Sequence, residues 1–218
     1  MIIVVGGIKG GSGKTTIATN IAIMRSYEKP NILLVDADDQ ETSYDFSTLR
    51  NSKEEDLPQY TCIKLTGQAV RTEISKLKAN YNDIIIDTGG RDTISQRAAL
   101  SIADILLIPF VPRSFDLWTL DAVSSVIEEI KQINQNIQSY AFLNRADSRG
   151  LDNSDAQECI KDTSNIKMLT NSIICNRKVF GNAAAEGKSI TELKLQDKKA
   201  ILEMKTLYNY VFNEKLDL

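Results

Sequence analysis

The chain has 218 residues, 42% of them hydrophobic and 25% charged, with 26 Lys and Arg against 29 Asp and Glu and a net charge of −3. That length and balance suit one domain with a full core and argue against a uniformly basic nucleic-acid binder, though not against a local basic face. There is no histidine, which excludes Ser-His and Cys-His catalysis, so any hydrolysis must rely on carboxylates, lysines and a metal ion.

The three cysteines, Cys62, Cys159 and Cys175, stand far apart at no metal-binding spacing and read as ordinary thiols. No apolar stretch approaches the length needed to cross a bilayer, and the amino terminus enters a strand without the character of a signal peptide. A cytoplasmic protein of one domain over residues 1–218 is expected.

In chain order, Ile2 to Val5 reads as a strand, leading into Ile8-Lys9-Gly10-Gly11-Ser12-Gly13-Lys14-Thr15-Thr16 and an apolar-periodic helix from Thr16 onward. In that arrangement the glycines let backbone N–H groups converge on phosphate oxygens and the helix N-terminus adds its dipole. Lys14 neutralises charge, and Thr15 offers a hydroxyl to magnesium.

A second strand, Ile32 to Val35, runs into Asp36, Asp38 and Asp39. Three acids beside a phosphate site make sense where a cation or a water must be controlled. Residues 44–80 are polar and weakly periodic, ending in a helix around Val70 to Ala79. The strand Ile84 to Ile86 ends at Asp87, whose carboxylate can hold a water of a magnesium shell. Gly89-Gly90 allows the backbone near the γ-phosphate to rearrange, and Arg91 and Asp92 read either as switch residues or as a loop ion pair. Ile105 to Pro109, Tyr140 to Leu143 and Ile173-Ile174 give further strands, and Lys188 to Phe212 gives one or two closing helices. The alternation predicts a doubly wound α/β fold with a mostly parallel sheet flanked by helices and its ligand at the carboxyl ends of the strands.

The loop has Ile8 where the strict phosphate-loop pattern needs glycine, and matches instead K-G-G-x-G-K-[ST], which adds Lys9. It resembles the deviant Walker A box of the ParA/MinD family of P-loop ATPases. The resemblance implies ATP and Mg2+ as cofactors, slow magnesium-dependent hydrolysis, and an ATP-bound homodimer in which Lys9 reaches the partner's phosphates. Nucleotide-binding residues would be Lys9, Gly10, Gly11, Ser12, Gly13, Lys14, Thr15 and Thr16, with Asn144 and Arg145 near the base. Asp36 to Gln40 resembles the family's V-D-x-D-P-Q box, whose second aspartate, here Asp38, positions the attacking water; Asp39 stands where the family has proline. Catalytic roles thus fall to Lys9, Lys14 and Asp38, and magnesium to Thr15, Asp38 and Asp87.

Asn144 matches the family's adenine-contacting asparagine after its fifth strand, yet Asn144-Arg145-Ala146-Asp147 also resembles the N-K-x-D guanine box. The phosphate loop is the better guide and favours ATP over GTP. Arg177, Phe180, Ala184 or Ala185, Gly187 and Leu193 resemble a carboxyl-terminal run of ParA proteins, which in relatives lies near the nucleotide and contributes to dimer and DNA surfaces.

Within the family the chain most resembles small plasmid-type ParA proteins: its first strand begins at Ile2, so no amino-terminal helix-turn-helix extension is expected. Glu214 and Asp217 near the end would be repelled by anionic lipid, so no membrane partner is expected. The resemblance implies plasmid or chromosomal DNA segregation through non-specific DNA binding, nucleoid association when ATP is bound, and a ParB-like centromere-binding adaptor that stimulates hydrolysis. Candidates for a DNA-facing patch are Arg145, Arg149, Lys188 and Lys194 and, foremost, Arg177, Lys178, Lys198 and Lys199. Two alternatives remain open: positioning of a non-DNA cargo by the same chemistry, and a metabolic P-loop enzyme of the dethiobiotin synthetase type, which would have no need of Lys9.

Overall fold

The computed structural model describes residues 1–53, 55–112, 117–147, 152–161 and 163–212. Among these, seven strands form one sheet: β1 (Ile2–Val5), β2 (Ile32–Ala37), β3 (Thr61–Lys64), β4 (Asp83–Thr88), β5 (Ile105–Phe110), β6 (Gln138–Ala146) and β7 (Lys167–Cys175). Their order is β3-β2-β4-β1-β5-β6-β7, and every pairing is parallel. Parallel neighbours require crossover connections. These are supplied by α1 (Lys14–Ser26), α2 (Thr42–Asn51), α3 (Ala69–Leu77), α4 (Ile94–Leu100), α5 (Leu117–Lys131) and α6 (Asp152–Lys161), and α7 (Lys178–Ala185) and α8 (Lys198–Phe212) close the chain.

Because alternate strand residues point to opposite faces, one continuous apolar run feeds two cores. Val4, Leu33, Val35, Ile84 and Ile86 pack with Val70 and Ile74 of α3 and with residues of α4 to α6. Ile3, Val5, Leu34, Ile85 and Leu107 pack on the other face against α1, α7 and α8. Both faces are covered, which is why β1, β2, β4 and β5 are buried at every position.

The stretch 44–80 holds more structure than its sequence suggests. The buried face of α2 is Ser43, Ser47 and Arg50, a helical spacing written in polar residues, so no apolar period marks it. Hydrogen bonds engage two of the three: Ser47 Oγ lies 2.9 Å from Tyr60 Oη, and Arg50 makes two 2.8 Å contacts to the Glu192 carboxylate. Strand β3 is a four-residue edge strand with exposed ends. With β3 counted, Asn144 lies near the end of the sixth strand rather than the fifth.

The carboxyl-terminal run docks on the nucleotide-side helices. Asn20 Oδ1 in α1 accepts Ser189 Oγ at 3.0 Å and the Ile190 N–H at 3.1 Å. Gly187 has φ 66°, and a Cβ there would lie 2.8 Å from the Arg50 nitrogen, so only glycine fits this approach. Ser189 and Glu192 form a capping box on a short 3₁₀ turn, Ile190–Glu192. The predicted closing helix is therefore α8, starting at Lys198, with the residues from Lys188 forming this docked turn.

Candidate nucleotide site

The chain leaves β1 toward β2 on one side, while β4 leads to β5 on the other, so the strand order reverses around β1. The phosphate loop follows β1 at that point, the usual ligand position in such sheets. Gly11 and Gly13 have φ of 74° and 90°, which lets the loop turn its amides inward. Gly13 is the N-cap of α1 and supplies no side-chain acceptor. The first-turn amides of α1 thus present an anion site reinforced by the helix dipole. Lys14 Nζ donates to the Lys9 carbonyl at 2.8 Å. Burial lowers the Lys14 pKa, and the nearby Asp87 and Asp38 charges pull it back up.

The end of β6 grips the outer side of this loop. Asn144 Nδ2 donates to the Ser12 carbonyl at 2.7 Å, and Arg145 Nη1 donates to the Gly11 carbonyl at 2.8 Å. Arg145 holds a left-handed φ of 54° to do so. The Asn144 amino group thus faces loop backbone, where a Cβ on Gly13 would come within 2.4 Å of it. A cleft of about 680 Å³ opens beside Thr16, lined among others by Asn144, Asn176, Phe180 and Asn182. Asp147 lies outside it, lining a neighbouring cleft of about 450 Å³ with Lys9 and Arg177. The aspartate of the guanine-like box therefore does not face the cleft beside Thr16.

The acids separate into distinct roles. Asp36 is buried, its Oδ1 accepting the Asp38 N–H at 3.1 Å and its Oδ2 the Tyr44 N–H at 2.8 Å, so it builds the loop after β2 and is not offered to a ligand. Asp38 is half-buried, with Oδ1 accepting the Gln40 N–H at 3.2 Å. It lines a cleft of about 610 Å³ with Gly10, Gly11, Gly13, Lys14, Thr15 and Gly90 among others. The β4 loop closes on the phosphate loop here: a Cβ on Gly90 would lie 2.6 Å from Gly10 Cα. Asp92 pairs with Arg97, and among the described residues the loop ion pair with Arg91, one of the two readings left open, is not formed. Sequence reasoning passed over Thr88 and Gln96, which link β4, α4 and the phosphate loop: Gln96 Oε1 accepts Thr88 Oγ1 at 3.2 Å and the Gly7 N–H at 3.4 Å.

Magnesium fits this set. Asp87 is 1% exposed and both its carboxylate oxygens lack a hydrogen-bond partner. Burial pushes its carboxyl up to about 7, and the Thr15 hydroxyl beside it opposes that rise. A buried, unpaired carboxylate beside a hydroxyl and a phosphate loop suits the water shell of a hard cation that arrives with phosphate. Among the described residues no group of three or more His, Cys, Asp or Glu could hold a metal alone.

The model of the CobQ/CobB/MinD/ParA nucleotide-binding domain matches residues 3–190. The chain belongs to this family. It is similar to the maintenance of carboxysome distribution protein A of Halothiobacillus neapolitanus, 28% identical over 208 residues that cover 95% of this chain and 94% of the relative. The fold is shared with the McdA(D38A)–ATP complex of Cyanothece, at TM-score 0.78 and 17% identity, covering 100% of this chain and 98% of that one. It is also shared with a plasmid partition protein of Borrelia burgdorferi bound to AMPPNP, at TM-score 0.74 and 19% identity, covering 99% of each chain.

The candidate surface cations differ in what the fold pairs them with. Arg177 bonds Glu203 at 2.6 Å and lies 3.8 Å from Asp197, so its charge ties α7 to α8. Lys188 is 7% exposed and pairs with Glu55 at 2.8 Å. Both candidates are thus engaged in ion pairs within the chain. Lys178, Lys198 and Lys199 are exposed and make no ion pair among the described residues. Lys198 and Lys199 open α8, where the helix dipole disfavours positive charge; Asp197 offsets this by accepting the Lys199 and Ala200 N–H groups. Arg149, Glu214 and Asp217 lie outside the described residues. No helix among the described residues is long and apolar enough to cross a membrane.

Proposed function

We propose that this protein is an ATPase that positions a large intracellular cargo by cycling between an ATP-bound dimer that holds DNA and a released monomer. The observation that carries this reading is the placing of Lys9 on the rim of the phosphate loop with Asp38 and Asp87 at the ends of the neighbouring strands. In this reading the loop amides and Lys14 hold the β- and γ-phosphates, and Asp38 orients the attacking water. Thr15, Asp38 and Asp87 are the residues that would hold Mg2+, which when bound would supply charge neutralisation at the phosphates. Hydrolysis is slow because the site supplies position and electrostatics without a strong general base.

Lys9 acts across the dimer. Two facing lysines repel until γ-phosphates lie between them, which couples assembly to nucleotide state. Similarity over almost the whole length of a carboxysome distribution protein supports a non-DNA cargo ahead of the plasmid or chromosome partition expected at first. DNA then serves as the track, held through Lys178, Lys198 and Lys199, and an adaptor on the cargo stimulates hydrolysis.

Sedimentation of the Asp38→Ala protein with ATP, with and without Lys9→Ala, tests the reading. The expected result is a dimer that forms with ATP, fails with ADP, and is lost on removal of Lys9. A monomer under every condition would defeat the switch and favour a metabolic P-loop enzyme.

A further inference from the structure

Three buried polar atoms beside the phosphate cleft have no hydrogen-bond partner: the two carboxylate oxygens of Asp87 and the hydroxyl of Ser43. Ser43 is 0% exposed and Asp87 1%. They belong to different elements, Asp87 to β4 and Ser43 to the first turn of α2.

The backbone around Ser43 is pinned at the level of the carboxylates. The next residue, Tyr44, donates its N–H to Asp36 Oδ2 at 2.8 Å, and Asp36 is the direct cross-strand partner of Asp87. The Ser43 carbonyl accepts Ser47 Oγ at 2.7 Å. The Ser43 hydroxyl itself is left without a hydrogen-bond partner. It is also close enough to Asp87 to favour that residue's charged form, as the Thr15 hydroxyl does. An unpaired buried hydroxyl costs on the order of 1–3 kcal/mol, a cost alanine would avoid. It is recovered when the hydroxyl finds an acceptor.

We propose that Ser43 is the positioning residue for Asp87: with nucleotide and magnesium in the cleft, its hydroxyl donates to one carboxylate oxygen and leaves the other turned toward the waters of the ion. The same helix turn joins this contact to the loop carrying Asp38, through Asp36. The inference rests on the magnesium-dependent nucleotide site proposed above. Outer hydrogen bonds to metal-holding carboxylates commonly control metal affinity.

The test is calorimetric binding of ADP at a series of magnesium concentrations, which needs no turnover. In Ser43→Ala, ADP affinity without magnesium should stay within about twofold of the parent. The magnesium concentration for half-saturation should rise roughly tenfold. Ser43→Cys, which keeps the volume and loses the strong donor, should behave alike. Asp87→Asn should raise the requirement by itself, and adding Ser43→Ala to it should change nothing further, since both act through one contact. An unchanged magnesium requirement in both Ser43 variants would overturn the proposal. So would an equal loss in the Asp87→Asn background, or a matching loss of metal-free ADP affinity, because either would mark Ser43 as packing alone. If the parent binds ADP equally with and without magnesium, the magnesium role of Asp87 itself falls and takes this proposal with it.

Discussion

Asp36 and Asp87 are direct partners across the β2–β4 pairing and are equally buried, yet their hydrogen-bonding states are opposite. Asp36 accepts two backbone N–H groups, whereas neither oxygen of Asp87 has a partner. One carboxylate is spent on shaping the loop that carries Asp38. Its neighbour is buried without a partner, at a cost to the stability of the fold.

That cost should be visible as a pH dependence. The Asp87 carboxyl rises from an ordinary 3.8 to about 7, burial being the main cause. Below 3.8 the acid is protonated whether the chain is folded or not, so it contributes nothing. Between 3.8 and 7 the unfolded chain ionises first, and stability falls as pH rises; above 7 the penalty is full, on the order of a few kcal/mol. Nucleotide-free Asp87→Asn should therefore melt roughly 5 °C or more above the parent at pH 8. The gap should shrink as pH falls toward 4. Equal melting temperatures at pH 8 would show that the carboxylate carries no such penalty.

Gly90→Ala should weaken nucleotide binding without touching any nucleotide-facing side chain. The new Cβ would meet Gly10 Cα and N at 2.6 Å, and both are backbone atoms that cannot swing away. Displacing the loop by a fraction of an ångström should weaken ATP affinity roughly tenfold or more. Fluorescent-nucleotide titration gives the value, and parent-like affinity would mean that the β4 loop is free to retreat.

Lys14→Ala and Asp38→Ala should part binding from turnover. The first removes the buried ammonium that meets phosphate and should abolish measurable ATP binding. The second should retain binding within a few-fold while turnover drops by roughly 10² or more, the scale of a lost water-positioning or electrostatic group. Nucleotide binding and phosphate release, measured side by side, decide both. Parent-rate hydrolysis by Asp38→Ala would remove its role.

Reversing charge at the start of α8 should separate DNA binding from assembly. Lys198→Glu with Lys199→Glu removes two exposed cations without breaking an ion pair, so ATP-driven dimerisation should persist. Affinity for duplex DNA should fall steeply, since it scales with the number of phosphate contacts, and the remaining binding should depend less on salt. Arg177→Ala should instead lower the melting temperature, because it cuts the tie to Glu203. Unchanged DNA affinity in the double reversal would move the surface away from α8.

The sequence by itself determined the phosphate loop, the strand-then-acid pattern at Asp36 to Asp39 and at Asp87, and the alternating layers. Each depends on local chemistry: glycines where φ must be positive, and continuous apolar runs where a strand is covered on both faces. Tertiary structure decided what the polar residues do. The buried polar face of α2 leaves no hydrophobic period to read, and its partners, Tyr60 and Glu192, are remote in sequence. Asp36 and Asp87 look alike as strand-end acids. Only the packing of α2 over the sheet satisfies one and leaves the other bare. Arg177, Lys188 and Lys198 are equally basic on paper, yet the fold engages the first two in ion pairs with Glu203 and Glu55 and leaves the third without one among the described residues. Charge type is written in the chain, whereas a charge's availability depends on which distant residues the fold brings against it.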